Sequence, residues 1–117
     1  GASWLVAASV GRARAMEMAL LGEKLSAEDA RAIGLINRVA DDDAVLAEAQ
    51  AIAAKLAVGP GKAIGMIRSQ MNAAAESTLE QVLVIERDNQ RMLGRSEDFK
   101  EALAAFAEKR KPQFKGR

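Results

Sequence analysis

Glycines cut this chain into lengths that suit helices. Gly11, Gly22, Gly34, the triplet Gly59-Pro60-Gly61 and Gly94 each follow a run with helical character. A glycine just past the last periodic residue ends a helix, because it reaches the left-handed conformation without a Cβ penalty. Start signals stand opposite these stops. Ser26 lies three residues before Asp29, the spacing at which a cap hydroxyl and an acid satisfy each other's free amides. Ser77-Thr78-Leu79-Glu80 reads as a capping box, and Ser96-Glu97-Asp98 as the cap of a last helix.

The intervals follow from these marks. Ser3 predicts a short helix over Trp4 to Val10, and Arg12 to Leu21 a second with Ala15, Met16, Ala19 and Leu20 on one face. Gly22 to Asn37 holds a small helix between two turns, its flanks Lys24-Leu25 and Ile36 to Val39 read as extended. Asp41, Asp42 and Asp43 put negative charge where a third long helix begins. Val45, Leu46, Ala49, Ile52, Ala53 and Leu56 give that helix a stripe expected to be buried. Lys62 to Ala75 resumes helical spacing through Ile64, Ile67 and Met71. Another helix runs to Leu93, and the last carries Phe99, Leu103 and Phe106 in its stripe. Pro112 ends regular structure, leaving Gln113 to Arg117 as a tail either loose or docked on a partner. The expected class is mostly α.

Composition agrees. Half of the 117 residues are apolar but only 3% are aromatic, which favours close-packed helices over an aromatic-rich sandwich. There is no cysteine and no histidine, so disulfides, thiolates and imidazole chemistry are excluded, and a reducing, cytoplasmic setting is expected. No apolar run nears the roughly 20 residues that span a bilayer, so no membrane partner is expected. The net charge of +1 makes no general case for nucleic acid, but Lys109, Arg110, Lys111, Lys115 and Arg117 gather in the last nine residues without an acid. The apolar opening Gly1-Ala2-Ser3-Trp4-Leu5-Val6 reads as a chain cut from something longer.

Candidate chemistry is sparse. Gly59, Gly61 and Gly65 lack the serine or threonine after Lys62 that a phosphate loop needs. The three aspartates lack the spaced ligands of a calcium loop, so no metal site is assigned. Glu86 meets an apolar stripe made by Leu79, Val82 and Leu83, a setting that suits either a proton-transfer group or a polar pair with Arg87, Arg91 or a neighbouring subunit. Phe106 and Lys109, three apart, would share a helix face, where a ring can stack on a base and a cation can meet a phosphate. Alone, the lone Trp4 suits core or interface better than a pocket wall.

The order of segments resembles the C-terminal part of the crotonase superfamily, the enoyl-CoA hydratases and isomerases. The matching residues are Gly11-Arg12-Ala13-Arg14-Ala15-Met16-Glu17, Leu20-Leu21-Gly22, Leu25-Ser26-Ala27-Glu28-Asp29-Ala30, Gly34-Leu35-Ile36-Asn37-Arg38-Val39 and the ending Phe99 to Phe114. The resemblance covers essentially the whole chain, and in order these motifs are strongly specific. It implies the helical trimerisation region of an α/β fold, with at most two short strands. Residues 1–40 would end the family's core, and residues 41–117 would form the helical region with its basic tail.

The resemblance further implies an acyl-CoA thioester substrate, no cofactor beyond the coenzyme A of that substrate, and a homo-oligomer, a trimer or dimer of trimers. No catalytic residue is carried over, because the oxyanion-hole amides and carboxylates of the family lie before the segment that matches Gly1. Phe106 and Lys109 match positions that contact the coenzyme A nucleotide in relatives, and Trp4 and Leu5 would lie near the acyl pocket. Ala7-Ala8-Ser9 departs from the proline and arginine of many relatives, which leaves the acyl substrate open. This chain alone would be inactive. The reading that competes with it is a non-enzymatic helical oligomerisation or binding module with a basic tail.

Overall fold

Seven helices and no strand make up the computed structural model, which describes residues 1–117. Three fall early: α1 (Ala2–Val10), α2 (Arg12–Leu21) and α3 (Ala27–Ala32). The next four are α4 (Val45–Ala57), α5 (Gly61–Ala74), α6 (Leu79–Leu93) and α7 (Glu97–Ala107). The chain divides into two units, Gly1–Glu48 and Ala49–Arg117. None of the helices is long and apolar enough to cross a membrane.

In the first unit α1 packs on α2 with a single residue between them. That residue is Gly11, at φ 82° and ψ 156°, a region that only glycine visits readily. Gly1, not Ser3, precedes the first helix, so Ser3 lies inside α1 rather than capping it. The small helix is built as its sequence suggests. Asp29 N–H donates to Ser26 Oγ at 3.0 Å, and the hydroxyl donates back to Asp29 Oδ2 at 2.7 Å. Gly34, at φ 80°, ends it, and Leu35 N–H bonds Ala30 O at 2.9 Å. The flanks expected to be extended form no strand. No backbone hydrogen bond joins Lys24-Leu25 to Ile36–Val39, and an extended segment becomes a strand only by pairing. The expected face of α2 is also different: Ala15 and Met18 are half-buried, whereas Leu20 is exposed.

In the second unit α5 packs against α6. A methyl group on Gly59 would lie 2.9 Å from Ile64 Cδ1 and 3.2 Å from Leu56 O, so a glycine lets the chain turn tightly there. The capping box of α6 is one residue later than expected. Gln81 N–H donates to Thr78 Oγ1 at 3.4 Å, and Thr78 N–H donates to Gln81 Oε1 at 2.9 Å. Glu80 faces its own backbone N–H, with the Thr78 hydroxyl adding, and its carboxyl is held below the usual carboxylate range. Ser96 then serves two helices, donating to Leu93 O at 2.6 Å and accepting Phe99 N–H at 3.1 Å.

The apolar stripes are real but not covered within this chain. Ala30 and Ala105 are its only buried apolar residues, while Leu46, Leu56, Ile67, Met71, Leu103 and Phe106 are all exposed. On α7 the buried positions are Asp98 and Ala105, not the Phe99, Leu103, Phe106 stripe. What covers Asp98 is the C-terminal tail.

Candidate functional site

The tail is not loose within the chain. It folds back along α7 of its own chain. Asp98, 5% exposed, sits in the first turn of α7 with its carboxylate at the positive end of the helix dipole. Its two oxygens accept Lys115 N–H at 2.7 Å and Gly116 N–H at 2.9 Å, and its own N–H donates to Arg117 O at 3.0 Å. Arg117 Nε reaches Glu97 at 3.2 Å. Phe114 is half-buried and borders, with Pro60, Ala63, Leu93, Phe99 and Ala102, a cavity of about 170 Å³.

One turn further along α7, Glu101 gathers the stretch before the tail. Both of its oxygens meet the Arg110 guanidinium, Oε2 accepting Nη2–H at 3.0 Å, and Oε1 also accepts Gln113 N–H at 2.8 Å. Arg110 additionally pairs with Glu108. The hydrogen bonds from Arg110, then from Gln113, pull the Glu101 carboxyl down to about 2. The same carboxylates push the Arg110 guanidinium further above its already high value. Of the five tail cations, Arg110 and Arg117 are thus neutralised from within the chain.

Phe106 and Lys109 stand at the end of this arrangement. α7 stops at Ala107, so the helix does not bring the pair to one face as their spacing suggests. A cap does the placing. Lys109 N–H donates to Phe106 O at 3.2 Å and Arg110 N–H to Ala105 O at 3.0 Å, the two bonds of a helix-ending motif whose left-handed position usually holds glycine. Lys109 fills it at φ 54°. Phe106 is 86% exposed, and the Lys109 ammonium has no ion pair in the chain.

The other singled-out residues have surroundings of their own. Trp4 and Leu5 are more than half exposed on α1. They do not line the apolar cavity of about 500 Å³ between α1 and α2, which is bordered by Ala2, Val6, Ala7, Ala15, Met16 and Ala19 among others. Glu86 is exposed and accepts Gln70 Nε2–H at 3.1 Å, while Gln70 Oε1 accepts Asn89 Nδ2–H at 3.0 Å. Its partner is Gln70 of α5, not Arg87 or Arg91. Arg87 pairs with Asp88 instead. Nowhere do three acidic side chains converge as a metal site would need.

Asp98 and Glu101 are the residues that sequence reasoning passed over. In the sequence Asp98 reads only as part of the Ser96-Glu97-Asp98 cap, and Glu101 draws no notice. The available signal was the set of acids at 97, 98 and 101 on the helix that a five-cation tail follows.

Comparison with known proteins agrees with this architecture. The family model described as enoyl-CoA hydratase/isomerase matches residues 1–117. The 1,2-epoxyphenylacetyl-CoA isomerase of Escherichia coli K12 is 46% identical over 117 residues, covering all of this chain and 45% of that protein. A protein of Rhodobacter capsulatus named probable enoyl-CoA hydratase is 41% identical, over all of this chain and 46% of its own length. Among solved structures, an enoyl-CoA hydratase subunit I from Geobacillus kaustophilus superposes with a TM-score of 0.95 at 35% identity, over all of this chain and 46% of that one. The chain therefore belongs to the enoyl-CoA hydratase/isomerase family, and its helices are the C-terminal helical region of the crotonase fold. It spans about half the length of the curated relatives it matches.

Proposed function

We propose that the protein to which this chain belongs acts on acyl-CoA thioesters as an enoyl-CoA hydratase or isomerase. In this reading two backbone amides polarise the thioester carbonyl and stabilise an enolate, and those amides and the proton-moving carboxylates lie N-terminal to Gly1. The present residues supply a contact for the coenzyme A nucleotide, with Phe106 against the adenine and Lys109 on a phosphate. They also supply surface for a homo-oligomer, a trimer or dimer of trimers. Trp4 and Leu5 would face the acyl group.

The observation that carries the reading is the family match across all of residues 1–117. Two features of the chain support it. The Phe106 ring is exposed and the Lys109 ammonium, three residues on, has no ion pair, and the apolar stripes of α4 and α7 are open to solvent, which suits burial against further protein. The competing reading, a basic-tailed module docking on an acidic partner, loses force because Arg110 and Arg117 are already paired with Glu101, Glu108 and Glu97. A cytoplasmic setting accords with the lack of cysteine.

The test is acyl-CoA binding by the full-length protein, measured by calorimetry. Binding that weakens about tenfold in Lys109→Ala is expected, the loss of one charge-assisted contact. No detectable acyl-CoA binding by the unaltered protein ends this reading.

A further inference from the structure

Lys109 is the only residue other than glycine with a positive φ in the chain. Glycine would take that position without strain. Lysine brings a long cation there at the expense of backbone comfort, and the cation makes no ion pair in the chain. Strain of this kind persists only where surrounding structure over-determines it.

Glu101 does the over-determining. Its carboxylate takes the two-pronged guanidinium of Arg110, one residue after Lys109, and the backbone N–H of Gln113 beyond it. Arg110 also donates to Lys111 O at 3.3 Å. A single side chain thus grips the chain at 110 and at 113, and the left-handed residue is the one that enters this grip. Glu101 is 25% and Arg110 39% exposed, so water screens the pair only in part, and the flat fork fixes orientation as well as distance.

We propose that Glu101 is a positioning residue for the nucleotide end of the substrate: through Arg110 and Gln113 it holds the turn that presents Lys109 beside Phe106. The inference rests on the coenzyme A reading above. Holding the turn before the ligand arrives spares binding the loss of backbone freedom that a floppy turn would suffer.

The experiment compares two ligands on the full-length protein: an acyl-CoA, and the matching acyl-pantetheine thioester, which lacks the nucleotide. Lys109→Ala should weaken acyl-CoA binding about tenfold and leave acyl-pantetheine binding unchanged. Glu101→Gln should do the same to a smaller extent, about threefold to tenfold. The double variant should be no weaker than Lys109→Ala alone, since Glu101 acts through Lys109. Equal weakening of both ligands by Glu101→Gln would show a merely structural role and overturn the proposal. So would no effect on either ligand, or additive losses in the double variant. If Lys109→Ala itself leaves acyl-CoA binding unchanged, the nucleotide reading fails whatever Glu101 does. If Lys109→Ala weakens it and Glu101→Gln does not, the positioning inference fails alone. Should Glu101→Gln not fold, Arg110→Lys carries the same comparison, because it keeps the charge and loses the fork.

Discussion

The Asp98 carboxylate lies 2.7 Å from the backbone nitrogen of Lys115, seventeen residues later in the chain. With Gly116 N–H on its other oxygen, one buried side chain receives both amides that would otherwise leave the tail's last turn unsatisfied. Asp98→Ala removes both acceptors. The expected loss is about 2–3 kcal/mol, the value of a charged acceptor together with two amides left unpaired. Urea denaturation of the full-length protein measures it, and faster tryptic cutting after Lys115 shows that the tail is what comes free.

Acid should release the next stretch in its own window. The Glu101 carboxyl sits at about 2, below its ordinary value of 4.5. A depressed carboxyl contributes stability that is whole above the ordinary value and is lost as pH falls through the folded one. Protection of the Gln113 amide from hydrogen exchange should therefore hold above pH 4.5 and fall away progressively between about 4.5 and about 2. In Glu101→Gln this dependence should flatten, and protection that stays pH-dependent there would point to another group.

Two glycines predict changes of opposite sign. Gly65 lies within α5, and an added methyl there meets nothing within 4 Å, so Gly65→Ala should stabilise by about 0.5–1 kcal/mol. Gly11 is equally open in space, but its φ of 82° is not. Gly11→Ala should destabilise by about 1–3 kcal/mol through the backbone alone. Thermal melts of the two variants in the full-length protein make the comparison direct.

The hydroxyl at the start of α6 offers a smaller check. Thr78→Ala should cost about 1 kcal/mol, whereas Ser77→Ala, although Ser77 stands where the expected box begins, should cost less. A larger loss at Ser77 than at Thr78 in denaturation midpoints would contradict the observed box.

These contrasts show which features were legible in the sequence. Helix existence was legible because caps and stops are local: Ser26, Thr78 and Ser96 each bond to an amide three residues on. Burial was not. The periodicity of Phe99, Leu103 and Phe106 reports that a face is apolar, never what lies on it, and Phe106 is open to solvent. The flanks of Gly22 to Asn37 read as extended make no strand for a related reason, since a ladder needs a partner and none pairs with them. The tail escaped because Asp98 binds backbone N–H groups, which every residue but proline owns, so residues 115 and 116 carry no sign of it. Phe106 and Lys109 were singled out by their spacing and by family resemblance, but the left-handed turn at Lys109 runs against what a lysine ordinarily prefers.

The single-residue joint at Gly11 has a mechanical consequence for the first unit. Two rods meeting at one pivot have no slack, so the gap between them can change only by turning two torsion angles. The width of the apolar space of about 500 Å³ between α1 and α2 is accordingly set by that one bend.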